Sequence, residues 1–193
     1  MIPDIFIHTS NVLKDSLINS GIFLVLTAAT GLIVGTFSQL LNRLLSFILG
    51  SRAAFIFSNF LTIPGVLHHE LSHSIAAILT GAKVTNFSII PKGNTLGHVV
   101  ILPRGPRILQ GLQLSFSGVA PVLFGMFTLY CSYSYIYPKF THPIQKIIFW
   151  YLFLCVALHM TLSGADWTSF FRGIIGTYII ILATFLLTRA IRQ

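Results

Sequence analysis

Polar positions are sparse in this chain, and they cut it into long apolar runs. A mixed, mildly amphipathic segment (1–16) carries Asp4, His8, Lys14 and Asp15 ahead of the first run, 17–41. A secretory leader has an early basic region and a short apolar core. Here the first basic residue is Lys14 and the run after it is long, so 17–41 reads as a retained membrane span. Asn42, Arg43 and Arg52 bracket a short amphipathic piece, 44–50. Pro64 divides a second run, 53–81. Pro64-Gly65 predicts a new helix with proline in its first turn, and Gly81 predicts its end. Runs 108–137, 144–163 and 168–188 supply three more spans, with a loop at 138–143 and Gly164-Ala165-Asp166 before the last.

The pattern changes between residues 84 and 102. Two short runs rich in β-branched and aromatic residues, 84–90 and 95–102, flank Pro91-Lys92-Gly93-Asn94, which is a hairpin signature. Residues 103–107, Pro-Arg-Gly-Pro-Arg, form a basic, breaker-rich linker.

Composition removes most competing classes. Charged residues make up 8% of the 193, against about 25% in a soluble domain. Mean hydropathy is +0.85. The expected fold is an all-α multi-pass membrane protein of about five spans, with a small membrane-associated β-hairpin. Residues 1–193 then form a single integral membrane domain. The net charge of +8 does not indicate nucleic acid, because the basic residues are scattered between apolar runs without a cluster or stripe. Strict alternation of spans divides the Lys and Arg residues evenly between the two sides, so orientation is not encoded. Cys131 and Cys155 lie inside apolar runs and read as buried thiols.

One motif carries chemistry. His69-Glu70-Leu71-Ser72-His73 is HExxH on the helix expected after Pro64. Residues four apart share a helix face, so both imidazoles can bind one Zn²⁺ at about 2.0–2.1 Å. Glu70 can reach water at the metal without occupying it, as general base and then as proton donor to the leaving amine. A chain with seven His and a single Glu forms this motif by chance with a probability of roughly 0.001. A purely structural cluster of His and Glu deep in an apolar span would be costly.

A catalytic zinc also needs a third protein ligand. A third histidine six residues after His73 is excluded, because that position is Leu79, and no second Glu follows. The remaining carboxylates are Asp4, Asp15 and Asp166. Asp4 and Asp15 read as solvated members of the N-terminal segment. Asp166 is the leading third ligand, with a helix cap or an ion pair with Arg172 as the alternatives. His159, two helical turns earlier, is the rival ligand or an outer partner.

An HExxH helix in an apolar span, a β-hairpin directly after it and a later span with an aspartate resemble the site-2 protease family of intramembrane zinc metalloproteases. The resemblance covers about 64–172, a metalloprotease-like core. It implies His69 and His73 as zinc ligands, Glu70 as the catalytic glutamate and Asp166 as the aspartate ligand. Ser117-Gly118-Val119-Ala120-Pro121 is similar to a small-residue and proline element of the family's middle span. The stretch 158–167 lacks the family's usual Asn and Pro, and Trp167 stands where a Gly follows the aspartate, which implies a divergent, compact branch.

The expected reaction is zinc-assisted hydrolysis of a peptide bond in or near a transmembrane segment of a membrane-protein or membrane-associated peptide substrate. The hairpin could hold an unwound substrate strand. His68, Asn86, Asn94 and His159 are candidates for substrate contact or outer support, and His98 is a further polar residue of the hairpin. The expected setting is a lipid bilayer, the plasma membrane of a prokaryote, with room for a regulatory partner or an oligomer and no nucleic acid. The alternative is a metal-binding membrane protein without hydrolysis, either a transport component or an inactive protease-like scaffold.

Overall fold

The computed structural model describes residues 11–56, 60–89 and 97–192. It is mostly helical, with one two-stranded sheet. Helix α1 (Val12–Leu49) starts at Asn11, whose Oδ1 accepts from the Lys14 N–H at 3.0 Å. It runs straight through Asn42 and Arg43, so the expected separate piece at 44–50 is the end of this helix. Neither residue is a backbone breaker; the stop comes at Gly50, whose φ is 80°. Helix α2 (Ser51–Ile56) follows, and then α3 (Ile63–Leu79).

Helix α3 has Pro64 in its first turn. It closes at Gly81, whose φ is 86° and whose N–H donates to Ile78 O at 3.0 Å. Strands β1 (Lys83–Ser88) and β2 (His98–Leu102) pair antiparallel, from Lys83 with Leu102 to Ser88 with His98. The register is irregular between Val84 and Asn86. The expected turn Pro91–Asn94 lies outside the described residues.

Helix α4 (Arg107–Cys131) continues into a π-helical turn (Ser132–Ile136) and a 3₁₀ turn (Tyr137–Lys139). Helix α5 (Pro143–His159) and helix α6 (Gly164–Arg192) complete the chain. Among the described residues, three helical stretches are long and apolar enough to cross a membrane: Val12–Leu49, Arg107–Lys139 and Gly164–Thr188. Helices α3 and α5 have 17 residues each, shorter than the runs that announced them. Pro64 cuts the first run near its middle, and the second leaves helical geometry after His159.

The fold centres on α4 and α6, which pack closely because glycine faces glycine. A Cβ at Gly176 would stand 3.1 Å from the Gly111 Cα, and one at Gly173 would strike the Gly111 carbonyl. Leu24, Val119, Val122, Leu162 and Phe170 form the buried core beside this seam. Outward-facing positions are apolar: Val25 and Ile33 on α1, Ile147 on α5 and Ile175 on α6 are each more than two-thirds exposed. Several polar side chains sit inside. Asp15 is fully buried with Ser16, Asn19 and Ser20, so the expectation of a solvated Asp15 is corrected. It lies in the first turn of α1, on a face that packing covers rather than in a polar leader.

Candidate metal centre

His69 and His73 lie one turn apart on α3, and each ring is fixed from behind. The Nδ1 of His69 donates to the His159 carbonyl at 2.7 Å, and the Nδ1 of His73 donates to the Ser117 carbonyl at 2.7 Å. A carbonyl can only accept, so both Nδ1 atoms carry the proton and both Nε2 atoms offer a lone pair. Those Nε2 atoms stand 3.1 Å apart. Bare lone pairs so close repel unless a cation lies between them.

Asp166 completes the group. Its Oδ1 is 3.2 Å from the His73 Nε2, and its Oδ2 is 3.8 Å from the His69 Nε2. Ligand atoms around a tetrahedral zinc with bonds of about 2.0–2.1 Å stand about 3.3 Å apart; the 3.1 and 3.2 Å separations are close to that spacing, the 3.8 Å one is wider, and the three residues form a group that could hold a metal ion. Among the described residues this is the group of His, Cys and acidic side chains able to hold a metal.

Asp166 is also part of a helix cap. The Ser163 N–H donates to Oδ2 at 2.7 Å, and the Asp166 N–H donates to the Ser163 Oγ at 3.2 Å. Cap and candidate ligand, weighed as alternatives, are thus combined in one carboxylate. Its carboxylate faces the Nε2 atoms of His69 and His73, not Arg172. Gly118 lets α6 come close enough: a Cβ there would lie 2.8 Å from the Asp166 carbonyl and 3.1 Å from the Phe170 nitrogen.

Glu70 is buried near the group, and its carboxylate has no hydrogen-bond partner among the described residues. It lines a cavity of about 570 Å³ together with His69, His73, Asp166 and residues 97–101 of the hairpin. The backbone at Gly97 presses on it. A Cβ at this residue would stand 2.8 Å from Glu70 Oε1 and 2.9 Å from the Ser88 carbonyl. Gly97→Ala is therefore expected to displace the Glu70 carboxylate. Metal content should stay at the wild-type level, while any reaction that uses this carboxylate as base slows by on the order of 10-fold or more. Metal analysis and single-turnover rates check the two halves separately.

The other candidates divide. His159 lines the cavity, but its ring is held elsewhere, with Nδ1 against the Cys155 carbonyl at 2.9 Å and Nε2 3.4 Å from Thr62 Oγ1. It acts through its carbonyl on His69, and its ring stands outside the group formed by His69, His73 and Asp166. Gly65 allows that approach, since a Cβ there would strike the Cys155 carbonyl. His68 points away, with Nε2 3.0 Å from Thr128 Oγ1 on α4. Asn86 is exposed on β1 and does not line the cavity. Asn94 lies outside the described residues. His98 on β2 does line the cavity.

Two contributors escaped sequence reading. Ser117 orients His73 through its carbonyl, and its Oγ donates to the His73 carbonyl at 3.1 Å. Gln113, fully buried on α4, ties down the segment after the hairpin: its Oε1 accepts from the Arg104 N–H at 2.7 Å, and its Nε2 donates to the carbonyls of Thr80 and Arg104. Ser117 lies in the small-residue element, which offered a signal; Gln113 offered none.

Comparison with protein-family models, with curated proteins and with solved structures finds no match for this chain.

Proposed function

We propose that this chain is an integral membrane zinc metalloprotease of the site-2 protease type, cleaving a peptide bond in or near a transmembrane segment of its substrate. One observation carries the reading: two histidines and an aspartate form a group that could hold a metal ion, and beside them in an open cavity lies a glutamate whose carboxylate has no hydrogen-bond partner among the described residues. In this reading α1, α4 and α6 cross the bilayer, α3 and α5 complete five spans, and the hairpin lies against the membrane. The exposed apolar surfaces of the helices support that placement.

His69, His73 and Asp166 would hold the zinc. Zinc supplies Lewis-acid polarisation of a carbonyl and a nucleophilic water at neutral pH. Glu70 takes a proton from the attacking water and returns it to the leaving nitrogen. Among the described residues its carboxylate has no hydrogen-bond partner, which leaves both oxygens available for that exchange. The carbonyls of His159 and Ser117 hold the imidazoles in the tautomer that leaves Nε2 for the metal. Strand β2 pairs with β1 on one edge and lines the cavity. An unwound substrate segment can add to its other edge, which satisfies backbone groups that a helix would otherwise keep internal.

The test is cleavage of single-span substrates by the purified chain in proteoliposomes. Cleavage is expected to stop on treatment with a zinc chelator and to return with added zinc. Cleavage that persists at full rate in metal-free protein would rule the mechanism out.

A further inference from the structure

A second concavity lies away from the metal centre, between α5 and the irregular end of α4. It encloses about 310 Å³, and Leu129, Ile136, Phe140, Ile148, Leu152 and Val156 are among its walls. The π-helical turn Ser132–Ile136 forms part of it. There the Tyr137 N–H donates to the Ser132 carbonyl, a loop one residue wider than an α turn, which breaks the regular side-chain spacing of α4.

Resting on the reading that the chain is membrane-inserted, we propose that this groove holds one acyl chain of an anionic phospholipid, with the lipid phosphate held by Lys139 and Lys146. Along α5 the lining runs from Gln145 to Val156. Eleven helical steps of 1.5 Å cover roughly 16 Å, about half of a 30 Å hydrocarbon core, which is the depth of one leaflet. The volume lies at the lower end of the range for ligand pockets.

The two ends of the groove differ chemically. At the inner end Val156 and Leu152 offer only hydrocarbon. At the outer end Phe140 and Gln145 are chain neighbours of Lys139 and Lys146, both exposed. Among the described residues no carboxylate pairs with either lysine: Asp166 faces His69 and His73, Glu70 lies in the other cavity, and Asp15 is buried on α1. Tyr133, Tyr137 and Trp150 cluster beside the groove, with the two tyrosine rings stacked at 5.6 Å and Tyr137 also 5.6 Å from Trp150. Amphipathic rings of this kind collect at the level of lipid headgroups. Two cations with no carboxylate partner among the described residues, at the mouth of an apolar slot of leaflet depth, complement a chain with an anionic head.

The chain has two tryptophans, so Trp167→Phe leaves Trp150 as the only indole reporter. The full chain carrying that change is reconstituted in phosphatidylcholine vesicles and titrated with acyl-brominated phosphatidylglycerol or acyl-brominated phosphatidylcholine. The expected result is stronger quenching of Trp150 by the anionic lipid, with a relative association constant on the order of ten-fold in its favour. Lys139→Gln with Lys146→Gln should bring that ratio close to one, and Lys14→Gln should leave it unchanged. Inorganic phosphate should not displace the lipid, since the acyl chain supplies much of the binding. Equal constants for the two lipids, or an anionic preference that survives loss of both lysines, would overturn the lipid site while membrane insertion stands. Absence of quenching by either lipid in a cross-linkable dimer would assign the groove to a second copy. Absence of quenching in a monomer would remove the membrane reading itself.

Discussion

Glu70→Gln is expected to reduce peptide hydrolysis by on the order of 10²–10⁴-fold while leaving the metal in place. Gln keeps the size and shape of the side chain and loses only the ability to accept a proton. Folding should tolerate the change, because the carboxylate makes no hydrogen bond to the rest of the described structure. The three donors that face one another belong to His69, His73 and Asp166, so the metal group keeps its composition. Cleavage rates in proteoliposomes, read beside the zinc content of the same preparation, separate the two effects. Full activity in the variant would exclude the proposed base and turn attention to a transport component or a scaffold that uses the metal without hydrolysis. Loss of the metal together with activity would place Glu70 among the ligands.

The second large effect is expected at Asp166, where two substitutions separate two roles. Asp166→Ala removes the carboxylate from the histidine pair and from the cap at once. Zinc affinity should fall by more than about 100-fold, beyond the usual cost of losing an outer partner. The metal-free protein should also lose about 1 kcal/mol of stability from the cap. Asp166→Asn retains an oxygen that accepts from the Ser163 N–H but brings no negative charge to the metal. It should bind zinc poorly while the metal-free protein unfolds near the wild-type temperature. His159→Ala should retain zinc far better than either, because the His159 contact to His69 is made by a backbone carbonyl. Zinc titration and thermal unfolding of the metal-free variants read the two quantities. Wild-type zinc affinity in Asp166→Asn would place the third ligand elsewhere.

The parts of this centre that sequence could reveal are those that depend on spacing or on scarcity. HExxH is legible because i and i+4 share a helix face whatever the tertiary structure. Asp166 stood out because acids are so few in the apolar runs. Scarcity misled at Asp15, where polar neighbours suggested solvent but packing around α1 buries the side chain. The supports of the histidines were hidden, since the carbonyls of His159 and Ser117 are backbone atoms that any residue could provide. Gly97 and Gly65 were hidden for a related reason: their value lies in a neighbour far along the chain that a Cβ would strike. The two paired strands were readable from their β-branched and aromatic runs, and the Pro64 helix start from local turn chemistry. The full length of α1 was not, because Asn42 and Arg43 resemble a boundary although the backbone has no reason to stop there.

The shared use of the Asp166 carboxylate ties two equilibria together. Ser163 and Asp166 hold the first turn of α6 in place, and the same carboxylate faces the histidines of α3. An ion bound there opposes fraying of that turn, and fraying of that turn releases the ion. At a free metal concentration 100 times the dissociation constant, the intact turn gains about 2.7 kcal/mol. Amide hydrogen exchange at the start of α6 therefore becomes a gauge of metal occupancy, readable without any substrate.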